Sequence, residues 1–78
     1  MVRALVLLNV NSGNEVTIAE ELKKLKEVID IFVTYGEYDI AGIIQASSTK
    51  ELGQIITGKI RRLDGVQKTI TLIEALTD

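Results

Sequence analysis

The run VRALVLLNVN, Val2 to Asn11, carries apolar side chains at odd and even positions alike. Successive side chains of a strand leave opposite faces of a sheet, so this pattern describes a strand that must be covered on both sides. For a chain of 78 residues that is a severe demand. A chain this short builds one core and buries only about 60–65% of the surface its unfolded form exposes. Residues 1–78 are therefore read as a single domain whose stability draws on a partner surface.

The remaining segments say how the first strand is covered. SGN, Ser12 to Asn14, interrupts it. Thr17 and Glu20 then fit the Thr-x-x-Glu capping box, in which a hydroxyl and a carboxylate satisfy free amides at a helix start. Ile18, Leu22 and Leu25 follow at helical spacing, with Glu20, Glu21, Lys23, Lys24 and Lys26 on the wet side. VIDIFVTY, Val28 to Tyr35, is dense in β-branched and aromatic residues, and a period of two puts Ile29, Ile31, Val33 and Tyr35 on one face. YDIAGIIQAS returns after Gly36 and Glu37, so the two runs form an antiparallel hairpin with YGEYDI at its tip. Ser48 and Glu51 repeat the capping-box spacing ahead of Leu52, Ile55, Ile56, Ile60 and Leu63. Gly53 and Gly58 inside that helix cost roughly 1 kcal/mol each relative to alanine, an amount that close backbone packing would offset. Asp64 and Gly65 end the helix, and VQKTITLIEAL alternates Gln67, Thr69, Thr71 and Ile73 against Val66, Lys68, Ile70 and Leu72.

The order strand, helix, strand, strand, helix, strand predicts an α+β, ferredoxin-like βαββαβ fold: a four-stranded antiparallel sheet with both helices on one face. The helices cover only that face. On the other, Leu5 and Leu7 oppose Ala4, Val6 and Leu8, and Ala41 and Ile43 oppose Ile40 and Ile44. A soluble monomer seldom exposes an apolar patch of that size, so a second copy is expected to cover it as a two-fold dimer formed through the sheet.

Composition narrows the chemistry. Cysteine, histidine and tryptophan are absent, which excludes disulfides, thiolate or imidazole metal ligands and nucleophile–imidazole dyads. Neither a metal nor a cofactor is expected. A net charge of -2, with nine Lys and Arg scattered along the chain, forms no basic stripe for phosphates, so direct nucleic-acid binding is not expected. Phe32 and the two tyrosines do not make the aromatic platform that an RNA-binding version of this frame uses. The longest apolar run near the N-terminus, Ala4 to Leu8, is too short for a signal-peptide core or a membrane span, which makes a cytoplasmic protein without a membrane association the expectation.

The hairpin tip is the segment with chemistry to offer. Gly36 frees the backbone for positive φ and for close approach of its amide to a carboxylate, and Asp39 offers an anionic acceptor for an ammonium. Those are the two ends of an amino acid. Glycine and aspartate are equally ordinary hairpin residues, and Asp39 bonding nearby backbone amides is the structural alternative. Thr69 and Thr71 share one face of the last strand, where threonine is also a common strand former.

TYGEYDI after a helix and a strand, followed by a helix and LDGVQKTITLIEAL, resembles the effector-binding (RAM) domain of the Lrp/AsnC, or feast/famine, transcription regulators. The Gly-x-Tyr-Asp tip (Gly36, Glu37, Tyr38, Asp39) and Gly65-Val66 with the spaced Thr69 and Thr71 carry that likeness, which spans almost the whole chain. The resemblance implies a dimer of the dimeric α/β-barrel type, assembled further into an octamer or similar ring. It also implies amino-acid effectors bound where dimers meet, with contacts at Gly36, Tyr38, Asp39, Thr69 and Thr71. Regulators of this family usually carry a helix-turn-helix ahead of the domain. This chain opens directly on its first strand, so the resemblance implies a stand-alone form, not an enzyme, that modulates transcription through assembly, including co-assembly with full-length regulators of the family.

Two other readings stand beside it. An ACT-like amino-acid sensor would use the turn in NVNSGN, with Gly13 as its glycine. A small dimeric ferredoxin-like enzyme would need a general base, for which Asp30 and Asp39 are the available residues.

Overall fold

In a computed structural model, which describes residues 1–75, the chain runs β1 (Val2–Val10), α1 (Glu15–Lys23), β2 (Val28–Val33), β3 (Ile40–Ala46), α2 (Thr49–Ile55) and β4 (Val66–Ile73). A π-helical turn, Ile56–Ile60, continues α2 and is closed by the Arg61 amide donating to the Ile56 carbonyl at 2.8 Å. The strands form one sheet in the order β2-β3-β1-β4 with every neighbouring pair antiparallel. This is the expected α+β ferredoxin-like arrangement. Leu76, placed by its sequence at the end of the last strand, lies outside the described residues.

The core occupies the helix-covered face of the sheet. Ala4, Val6, Leu8 and Val10 of β1 alternate into it with Ile40, Ile44 and Ala46 of β3 and Ile31 of β2. Ile18, Ala19 and Leu22 close it from α1, and Leu52, Ile55 and Ile60 from α2 and the π turn. Full burial of each large aliphatic side chain stabilises the fold by about 1.5–3 kcal/mol. Ser48 caps α2 by accepting the Glu51 amide at 3.1 Å, as its spacing predicts. The reciprocal bond is displaced by one residue: the Glu51 carboxylate takes the amide and hydroxyl of Ser47, at 3.1 and 2.9 Å.

Three local expectations are corrected. Helix α1 begins at Glu15, two residues ahead of Thr17, so the Thr17–Glu20 pair sits inside the helix and caps nothing. The first turn is instead braced by the Glu15 carboxylate accepting the Gly13 amide at 3.0 Å. In β2 a bulge between Val28 and Asp30 breaks the period of two, leaving Ile29 exposed and Ile31 as the one buried residue of the strand; Tyr35 lies beyond the strand in solvent. In β4 a register shift opposite Asn9 and Val10 turns Val66 onto the helix-covered face, apart from Lys68, Ile70 and Leu72, which share the open side with Asn9, Leu7 and Leu5. The two helix glycines are tolerated without tight packing, because a β-carbon added to Gly53 or Gly58 would meet nothing within 4 Å.

Cross-strand pairs share a face, so the register assigns the open side directly. Leu5 stands between Ile43 and Leu72, and Leu7 stands between Ala41 and Ile70. Phe32 extends that second row beyond Ala41. On the sheet's uncovered side Leu5, on a central strand, is 37% exposed, and Phe32 and Leu72, on the two edge strands, are 45% and 53% exposed. This is the two-sided apolar pattern of the first strand made three-dimensional.

Candidate ligand-binding end of the sheet

The hairpin tip is fastened to β1 by its own sequence. Strand β3 starts at Ile40, opposite Leu8, so the Val10 amide on that side of β1 lies past the end of its neighbour. A buried amide needs an acceptor, and the Asp39 carboxylate provides it, with Oδ2 accepting the Val10 N–H at 2.9 Å. The Asp39 amide donates to the Leu8 carbonyl at 2.8 Å and its carbonyl accepts the Thr34 amide at 2.9 Å. Asp39 thus closes the hairpin and continues the ladder by a side chain. Oδ1 of the same carboxylate takes part in none of the described hydrogen bonds.

Two residues that sequence reasoning passed over brace the rest of the tip. The Thr34 hydroxyl donates to the Tyr38 carbonyl at 2.7 Å, and the Asn9 side-chain amide donates to the Glu37 carbonyl at 2.8 Å. Asn9 had a signal, being a polar residue inside the apolar run of β1. Gly36 has φ +126°, a backbone conformation that side chains seldom adopt, and the space around its α-carbon is open. Tyr38 and Asp39 are half-buried, whereas Tyr35 is fully exposed.

Thr69 and Thr71 are half-buried on β4, opposite Leu8 and Val6, and share the helix-covered face as their spacing predicts. Thr69 lies at the same end of the sheet as the hairpin tip. Strand β1 stands between them, which separates the lines of β3 and β4 by about 10 Å, two strand spacings. No described hydrogen bond joins the threonines to Gly36, Tyr38 or Asp39. Thr71, opposite Val6, lies at mid-strand, so Thr69 alone of the two threonines shares the end of the sheet with the tip.

The residues of the other readings are differently placed. Gly13 has φ +92° in an exposed turn, and its amide is occupied by Glu15. Asp30 lies on the outer strand, where Oδ1 accepts the Ile31 amide at 2.9 Å. It stands on the open side of the sheet, opposite Ile43. Among the described residues no three Asp or Glu side chains cluster closely enough to hold a metal ion. No helix among them is long and apolar enough to cross a membrane.

Comparison with known proteins bears on this geometry. A family model described as the Lrp/AsnC ligand binding domain matches residues 3–74. An HTH-type transcriptional regulator of Pyrococcus furiosus is 30% identical over 77 residues, 95% of this chain and 51% of its own length. The HTH-type transcriptional regulator FL11 of the same organism is 29% identical over 90% of this chain and 46% of its own. The chain thus spans about half the length of these relatives. Among solved structures, FFRP-DM1 superposes with a TM-score of 0.93 at 37% identity, covering 96% of this chain and all of that one. Escherichia coli AsnC superposes with a TM-score of 0.92 at 26% identity, over 97% of this chain and 52% of its own.

Proposed function

The chain belongs to the Lrp/AsnC ligand-binding domain family, whose members here are named transcriptional regulators, and on that premise we propose that it is an amino-acid effector-binding and oligomerisation domain. It acts on transcription through assembly and not through DNA contacts of its own, since its nine cationic residues are balanced by eleven anionic ones. The observation that carries the reading is the open sheet face, where Leu5, Leu7, Phe32, Ile43, Ile70 and Leu72 make one continuous apolar surface. A second copy turned about a two-fold axis covers this surface with its equivalent and makes the dimer.

Effector contacts at Gly36, Tyr38, Asp39, Thr69 and Thr71 follow from the same reading. Because β1 separates the tip from the threonines within one chain, a single small ligand touches both sets only where copies meet. Binding at such a junction favours the assembled form, so ligand concentration sets the degree of assembly. Full-length regulators of the family are partners of the same kind, through the same sheet face.

Sedimentation of the purified chain with and without each of the twenty amino acids, paired with thermal shift, tests this. The expected result is a dimer that one or a few amino acids convert to a larger ring with a raised Tm. A well-folded monomer at high concentration that responds to none of them overturns it.

A further inference from the structure

The hairpin tip is held more firmly than reversing the chain requires. Asn9 donates to the Glu37 carbonyl at 2.8 Å, the Thr34 hydroxyl to the Tyr38 carbonyl at 2.7 Å, and Asp39 accepts the Val10 amide at 2.9 Å. On that braced loop Tyr35 stands wholly in solvent, 105% exposed, with Glu37 exposed two residues on. An aromatic side chain held out on a fixed backbone loses little conformational freedom when a partner takes it. Glu37 takes part in none of the described ion pairs.

An open cavity of about 480 Å³ lies at the opposite end of the sheet, between the start of β2, the end of β3 and α2. Ile29, Ala46 and Ile55 give it an apolar lining. The bulge in β2 turns Ile29 outward, leaving it 53% exposed, and bulges recur where a strand re-aims a side chain. Of the two lysines on the cavity wall, Lys59 is committed to Glu27, meeting Oε2 at 3.0 Å while Oε1 is buried without a hydrogen-bond partner. Lys26 is exposed and makes none of the described ion pairs. The cavity thus offers an apolar recess beside an exposed cation, and the tip offers an aromatic ring beside an exposed anion.

We propose that this cavity is filled by the hairpin tip of a second copy of the chain, with Tyr35 against Ile29 and Ile55 and with Glu37 paired to Lys26. Gln45, beside the cavity, pairs with Arg3, five residues along β1 from the Leu8 carbonyl that holds the tip, so the two places are about 17 Å apart along the strand. A chain therefore cannot fill its own cavity. The contact joins unlike surfaces, and heterologous contacts of this kind run from copy to copy and close into a ring where the rotation allows. Both surfaces lie at ends of the strands, clear of Leu5, Leu7 and Ile70 on the open sheet face, so the contact links dimers without competing for the surface that makes them. The proposal rests on the reading that the chain assembles beyond a dimer, and names the residues that join one dimer to the next.

Proton–nitrogen correlation NMR of the full chain, recorded from dilute to concentrated solution in buffer free of amino acids, tests the proposal. One aromatic knob and one exposed ion pair bind weakly, so the contact is read at high concentration. Expected are shifts of the Tyr35 and Glu37 amides that rise together with those of Lys26, Ile29 and Gln45. Tyr35→Ala and Lys26→Glu should each weaken this association at least tenfold, and Glu37→Lys combined with Lys26→Glu should return it to within threefold of the wild type. Leu5→Arg, which opens the sheet-face dimer, keeps the paired shifts. The inference is overturned if either the tip or the cavity amides stay unmoved with concentration, if Tyr35→Ala and Lys26→Glu both associate like the wild type, or if the double reversal fails to restore what Lys26→Glu removes. A ring that forms on addition of an amino acid while these amides stay still overturns the tip contact and leaves the proposed function standing.

Discussion

The δ-methyl of Ile31 fills the space that a β-carbon on Gly42 would need, with the Asp30 carbonyl 3.1 Å from the same point. Gly42 lies in the middle of β3, opposite Val6 on one side and Ile31 on the other. Its missing side chain lets the one buried residue of β2 reach across the sheet. Gly42→Ala is expected to destabilise the fold by about 1–3 kcal/mol through overpacking, read as a lower urea midpoint with unchanged slope.

Gly53 is the opposite case. A β-carbon there enters open space within a helix, so Gly53→Ala should stabilise by roughly 0.5–1 kcal/mol in the same urea experiment. A loss of stability would show that the α2 surface is packed against something in solution.

Leu5→Arg places a charge in the centre of the open sheet face. In a two-fold dimer each substitution acts twice, so losing about 1.5–3 kcal/mol of burial per copy weakens association by two or more powers of ten. The variant should sediment as a monomer while keeping its far-ultraviolet circular dichroism. A dimer of unchanged strength would move the interface elsewhere.

Asp39 has two separable jobs, and two substitutions separate them. Asp39→Ala leaves the Val10 amide without its acceptor and should cost about 1–2 kcal/mol as well as the amino-acid response. Asp39→Asn keeps an oxygen for Val10 and removes only the charge. Unfolding should then change by less than about 0.5 kcal/mol while the thermal shift with effector disappears. Retention of the full effector response in Asp39→Asn would assign the carboxylate to the hairpin alone.

The Glu27–Lys59 pair has a pH signature. Lys59 holds the Glu27 carboxyl below its ordinary value of 4.5, against the opposing effect of desolvation. The folded state therefore binds fewer protons than the unfolded one near that pH, and the stabilisation is complete above about pH 4.5 and lost as pH falls through the lowered value. Melting curves of the wild type and Lys59→Met should differ most near neutrality and converge in acid. A difference in Tm that stays constant to about pH 3 would mean the lysine contributes packing and not charge.

Element order, strand pairing and the helix-facing stripe were all legible in the chain, because each rests on the period of residues close in sequence. Val6, Leu8, Ile18, Leu22, Leu52 and Ile60 alternate or recur at spacings that only one arrangement of layers can bury together. The two-sided apolar run of β1 likewise announced the apolar open face of the sheet. The bulge at Ile29 and the shift at Val66 were not legible, since a single inserted residue in a ladder depends on the strand opposite. The same is true of Asp39 reaching Val10 and Glu27 reaching Lys59, contacts 29 and 32 residues apart in the chain. Periodicity determined which faces are buried. Only folding decided which polar groups find partners and which, like Glu27 Oε1, are left with one to find, because hydrogen bonding is set by distances between segments that carry no memory of each other in the sequence.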